Sequence, residues 1–192
     1  MNGKTGFARI IRGVMLGMML AWLTTCASGP RVVDHAFSFD ARWDSPGIEV
    51  LNYRYGSSNM PGTHIAPELL RTGQHSGGMG VNGPMPIGDT LYVKWRIKAT
   101  GEVFEDSVGL KSRLPEDITR HLLYFIVGGP QLYVYLIGPD RLNPNPCPSR
   151  EELRKLGASV APWDKIFSTY CYRRITQLYP DHPQTNKTRQ GE

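Results

Sequence analysis

Three short stretches of this 192-residue chain carry residue types and spacings that could do chemistry. Gly78-Met79-Gly80-Val81-Asn82-Gly83 reads G-x-G-x-x-G, the pattern that cradles a dinucleotide pyrophosphate. That chemistry needs a strand before the glycines and a helix N-terminus after them. The preceding "RTGQHSG" does not read as a strand, and Pro84 and Pro86 block a regular helix behind it. Glu102 stands about 20 residues on, where a ribose-binding acid would be, but inside a predicted hairpin. The glycines therefore predict a turning loop that enters a strand, with no nucleotide cofactor. His75-Ser76 places a base beside a nucleophile. A serine hydrolase would want G-x-S-x-G on a strand-to-helix turn, and "GQHSGG" has neither that spacing nor that context. The histidines, His35, His64, His75, His121 and His182, are scattered without an H-E-x-x-H pair. No D-x-D-x-D-G loop suggests calcium, and Glu105-Asp106 and Glu151-Glu152 read as solvated neighbours. The expectation is a protein with no catalytic, cofactor or metal site, and not an enzyme.

Binding is the chemistry left. Tyr, Trp and Arg dominate protein–protein hot spots, and Tyr53-Arg54-Tyr55 run directly into a long Gly- and Pro-punctuated stretch, residues 56–88. Long loops inside compact domains are often functional. The candidate partner-binding residues are Tyr53, Arg54, Tyr55, His75, Met79 and Asn82. Trp43 and Trp95 read as core.

The elements that must hold such a surface begin behind a leader. Lys4, Arg9 and Arg12 make a basic start, with no acidic residue before Asp34. The apolar run Val14–Leu23 is shorter than the ~20 residues a bilayer span takes, and it suits a secretory signal. It ends in Leu23-Thr24-Thr25-Cys26, close to a lipoprotein signal whose cysteine is lipidated; Thr25 departs from the usual small residue. An ordinary cleaved signal or an uncleaved anchor is the alternative. Ala27 after the cysteine favours, by analogy with bacterial sorting, the periplasmic face of the outer membrane. The expected organisation is a signal over 1–25, a tether over 26–34, one periplasmic domain over 35–180 and a disordered tail over 181–192. Processing would remove three of the 22 Lys/Arg and leave 19 against 17 Asp/Glu, a net charge of +2. So mild a charge does not call for nucleic acid, which wants a clustered basic face.

Cys147 and Cys171 lie 24 residues apart. A disulfide, two buried thiols and a metal site are all open to such a pair. Without C-x-x-C or a nearby His a metal is disfavoured, and an oxidising compartment favours the bridge.

Along the domain, "HAFSFDARW" alternates, with Phe37, Phe39, Ala41 and Trp43 on one side. "GIEVLNYRYG" is a second β-rich run. "APELLRTG" allows one or two helical turns. "TLYVKWRIKA" alternates apolar and basic over four repeats, and "EVFEDSVGL" is its hairpin partner. "LPEDITRHLL" has the proline, early acids and late His/Arg of a helix. "LLYFIVGGPQLYVYLIG" reads as a buried hairpin. Ser149 and Glu152 form a capping box before one helix, and "APWDKIFSTYCYRRITQLY" starts as another. The fold class predicted is α+β, mainly β: an antiparallel, sandwich-like domain with one or two C-terminal helices.

The lipoprotein-like leader, the Gly-rich stretch and "P-x-P-I-G-D-x-L-Y-V-K-W", here Pro84 to Trp95, resemble a domain of unknown function found in small bacterial lipoproteins. Leu114-Pro115 and the apolar hairpin from Leu122 to Gly138 extend the likeness over roughly residues 35–140. Several members of that family are encoded beside lipase or phospholipase effectors of type VI secretion and resemble periplasmic immunity proteins. The resemblance implies a toxin-binding inhibitor without catalysis, whose partner is a secreted antibacterial lipase or phospholipase. The alternatives are a structural or envelope-assembly lipoprotein that binds another envelope component, and an enzyme with an unfamiliar site.

Overall fold

The computed structural model describes residues 30–74, 76–142, 147, 149, 151 and 160–181. The predicted signal with Cys26, the Glu152 end of the capping box, His75 and the tail beyond Asp181 lie outside the described residues. Mainly β, as expected, the domain holds eight strands in two sheets and three short helices among those residues.

The strands are β1 (Val32–Phe39), β2 (Ile48–Tyr55), β3 (Met79–Pro86), β4 (Thr90–Ile97), β5 (Val103–Gly109), β6 (Leu122–Gly128), β7 (Gln131–Arg141) and β8 (Arg173–Tyr179). The helices are α1 (Ala41–Asp44), α2 (Pro67–Thr72) and α3 (Pro162–Tyr170). One sheet has five strands in the order β3-β1-β6-β7-β8, and the other three in the order β2-β4-β5. All neighbours are antiparallel except β1 and β6, which run parallel from Ala36 opposite Leu122.

The alternation of β1 and β4 does what its period requires. Phe37 and Phe39 from β1, Tyr53 and Tyr55 from β2, and Leu91, Val93 and Trp95 from β4 fill the space between the sheets. The outward residues of β4 meet carboxylates: Lys94 pairs with Glu105 at 3.4 Å and Arg96 with Glu49 at 3.3 Å. Strands β6 and β7 are buried on both faces, which explains their unbroken apolar runs. Leu123, Phe125 and Val127 face the main core, while Tyr124 and Ile126 join Tyr135, Ile137 and Ile166 of α3 in a second cluster.

Several details differ from the pattern-based reading. Residues 56–88 are not one loop, because α2 and β3 lie within them. The motif glycines sit largely in β3, paired with β1 from Phe39 opposite Met79 to Val32 opposite Pro86. This is an edge strand, where prolines are tolerated because one row of N–H groups needs no partner. Gly83, at φ +118, takes a conformation that other residues rarely adopt. "LPEDITRHLL" forms turns rather than a helix. Asp117 Oδ1 accepts from the Thr119 amide and hydroxyl at 2.8 and 2.6 Å, closing a local turn, and Arg120 at φ 58 leaves the helical region. The last predicted helix ends at Tyr170 and the chain continues as β8. Strand β1 starts at Val32, three residues before His35. The alternation of Phe37 and Phe39 stops at Phe39; Ala41 and Trp43 belong to α1, and Trp43 is half-buried rather than core.

Candidate functional site

The six predicted binding residues do not form one surface. Tyr53 and Tyr55 are 0% and 1% exposed, so they are core residues, correcting the expectation of a binding edge. Their neighbours explain why. Tyr55 stacks on Phe37 at 4.9 Å, and its hydroxyl donates to His35 Nε2 at 2.9 Å. His35 Nδ1 in turn donates to the Val33 carbonyl at 2.8 Å. Burial pushes both tyrosine hydroxyls up to about 12. It also holds the His35 imidazole below its ordinary value, against the Val33 bond and the charge of Asp34. Arg54 points outward and reaches Asn59 at 3.3 Å. Asn82 is exposed on β3, in the other sheet, while Met79 is half-buried against the core. His75 lies outside the described residues.

The stretch between β2 and β3 covers an edge. Tyr55 N–H donates to Thr63 O at 2.6 Å, Ile65 N–H to Tyr53 O at 3.2 Å and Ser76 N–H to Val50 O at 3.1 Å. These bonds occupy the free side of β2, which would otherwise invite pairing with another chain. Ser76 is buried in that role, not presented as a nucleophile. Glu102 accepts from Thr100 Oγ1 at 2.8 Å inside the β4–β5 turn. Among the described residues, no three of His, Cys, Asp and Glu gather as metal ligands.

Exposed aromatic surface appears instead on α3. The helix is fixed from several directions. Pro162 at its first position pre-sets the backbone, and its ring lies against Gly128. Ile166 enters the second apolar cluster. Lys165 Nζ donates to the Asp44 carbonyl at 2.6 Å, and the Tyr124 hydroxyl donates to Asp44 Oδ2 at 2.5 Å. Burial lowers the Lys165 ammonium from its ordinary value, partly offset by the Asp44 charge. The same burial, with that charge, raises the Tyr124 phenol. These buried polar groups tie α3 to α1 and β6. Just past the helix, Cys171 reaches Cys147 at disulfide distance, with Cα atoms 5.8 Å apart.

On this rigid support Trp163 and Phe167 stack in near-parallel planes, centroids 6.2 Å apart, and remain 40% and 37% exposed. Tyr135 braces Trp163 from below at 6.2 Å. Tyr172, next to the bridge, is flanked by the guanidinium groups of Arg141 and Arg173 at 5.9 and 5.7 Å. Two large aromatic rings left in water on a fixed helix are an arrangement suited to burial by a partner. Sequence reasoning missed them because Trp163, Ile166, Phe167 and Tyr170 share one helical stripe, which reads as core. The available signal was the excess of large rings over what one short helix can bury.

No protein-family model, curated protein or solved structure matches the chain.

Proposed function

We propose that this protein is an immunity protein of the bacterial envelope. Anchored through a lipid on Cys26 at the periplasmic face of the outer membrane, it binds and inhibits an antibacterial lipase or phospholipase delivered by type VI secretion. The observation that carries the binding reading is the exposed Trp163–Phe167 stack on a braced helix. The resemblance of Pro84–Trp95 and the lipoprotein-like leader support the kind of partner and the compartment. Inhibition is steric and needs no chemistry from this chain: a rigid β-domain docks by α3 and blocks lipid access to the toxin.

The test is co-expression with the secreted lipase encoded beside its gene. The proposal expects a stable complex and survival of cells that receive the toxin in the periplasm. Failure to form a complex together with undiminished killing would overturn it. A complex with an envelope component and no protection would instead favour an assembly role.

A further inference from the structure

Residues 110–121 run against β7 and β8 at one end of the five-stranded sheet. Leu110 and Ile118 anchor that segment in the core. Arg113 fastens it to β8 by donating to the Leu178 carbonyl at 2.7 Å and by pairing with Asp181. The covering is incomplete, and a cleft of ≈ 460 Å³ remains. Volumes of this order hold small ligands (roughly 300–1,000 Å³).

The lining sorts by chemistry. Leu136 and Leu178, nearly buried, form an apolar floor. Arg113, His121, Arg174 and Thr176 stand on the rim with Asp117. Asp117 is already committed to Thr119, and Asp181 neutralises Arg113. Arg174 has no acidic partner among the described residues. Gly138 lies beside it on β7, where an added methyl group would touch the Arg174 Cβ at 3.4 Å. His121 Nδ1 donates to the Thr119 carbonyl at 3.0 Å, which leaves Nε2 for a ligand. The backbone beside it is strained, since Arg120 holds a left-handed φ of 58 that turns the chain into β6. Such outliers gather where the surrounding structure fixes a side chain for use.

We propose that this cleft binds a small oxyanion with an apolar substituent, a phosphate monoester or a carboxylate. Its oxygens meet the Arg174 fork, the Thr176 hydroxyl and His121, and its apolar part lies over Leu136 and Leu178. A planar guanidinium suits bidentate recognition of either head group. The site is separate from the α3 surface and does not depend on the immunity reading.

Titration of the full chain with phenyl phosphate, benzoate, inorganic phosphate and phenol tests this, read by amide shifts at Gly138 and Thr176 in heteronuclear NMR and by calorimetry. Saturable binding of phenyl phosphate or benzoate is expected, weaker with inorganic phosphate and absent with phenol; whichever of the first two binds more tightly identifies the head group. Arg174→Ala should weaken that binding at least about tenfold, and Arg174→Lys by less, because the charge stays and the fork is lost. Arg174 is exposed on an edge strand, so an unchanged melting curve confirms that the variants fold. No saturable shift at the cleft, equal binding of phenol, or indifference to Arg174→Ala would each overturn the proposal.

Discussion

Alanine at Gly88 puts the packing of the "PIGD" turn to a quantitative test. A methyl group there would sit 2.4 Å from Tyr55 Cε2, 2.6 Å from Cδ2 and 2.9 Å from the Gly56 amide nitrogen. Real carbon contacts do not come that close, so something must move. The Tyr55 ring cannot retreat freely: it stacks on Phe37 at 4.9 Å and is bonded to His35 at 2.9 Å. On backbone grounds alone Gly88→Ala should stabilise by about 0.4–1 kcal/mol, because Gly88 has no positive φ and alanine restricts the unfolded chain. Overpacking a dense core destabilises by about 1–3 kcal/mol, and more where backbone is struck. The clash should win, with a net loss of about 2 kcal/mol and a melting temperature lower by about 4–8 °C. Urea unfolding read by far-UV circular dichroism gives the free energy. A double-mutant cycle with Tyr55→Leu, which vacates the ring, should recover part of the loss. A neutral or stabilising Gly88→Ala would refute the close approach of β2 and the 87–89 turn.

Other groups give further outcomes. The Tyr53 hydroxyl is buried without a hydrogen-bond partner, so Tyr53→Phe should leave stability unchanged or raise it by up to about 1–3 kcal/mol in urea unfolding. His35 has a lowered pKa, so the folded state holds fewer protons than the unfolded state just below the ordinary imidazole value of about 6.5. Its contribution is therefore complete above that pH and lost as the pH falls below it. Melting temperatures from pH 7.5 to 5 should drop more steeply in the native protein than in His35→Gln. Reducing the Cys147–Cys171 pair, which closes 24 residues of chain, should lower stability by about 3 kcal/mol in the chain-entropy picture, measured with and without reductant.

Much of the β framework was legible because strict alternation leaves little choice. Leu91, Val93, Trp95 and Ile97 can share one face only in a strand, and the Gly128-Gly129 turn between two apolar runs dictates the β6–β7 hairpin. What composition concealed was pairing. "MGVNGPMP" lacks the side chains that mark a strand, yet its backbone pairs with β1 from Met79 to Pro86. "RRITQLY" follows a helical stretch without a proline, and β7 draws it into the sheet. The expected helix after Pro115 lost to local bonds from Asp117 and to burial of Ile118, neither of which spacing reveals. For the candidate site, the residue types that attracted attention, Tyr53 and Tyr55, were the right size for a hot spot and also for the core. Their alternation with Arg54 could say which side each took, but not which side faced water. Trp163 and Phe167 were hidden by the opposite ambiguity, since a helical apolar stripe is ordinarily buried.

The central claim is that the exposed α3 aromatics hold a secreted lipase, and a binding titration of that toxin addresses it most directly. With both rings removed in Trp163→Ala/Phe167→Ala and an unchanged melting curve, the affinity should fall at least about 30-fold, as expected for loss of hot-spot residues worth about 2 kcal/mol or more. Periplasmic protection should fall with it. Native-strength binding by the double variant, or no measurable binding by the unaltered protein, would contradict the claim.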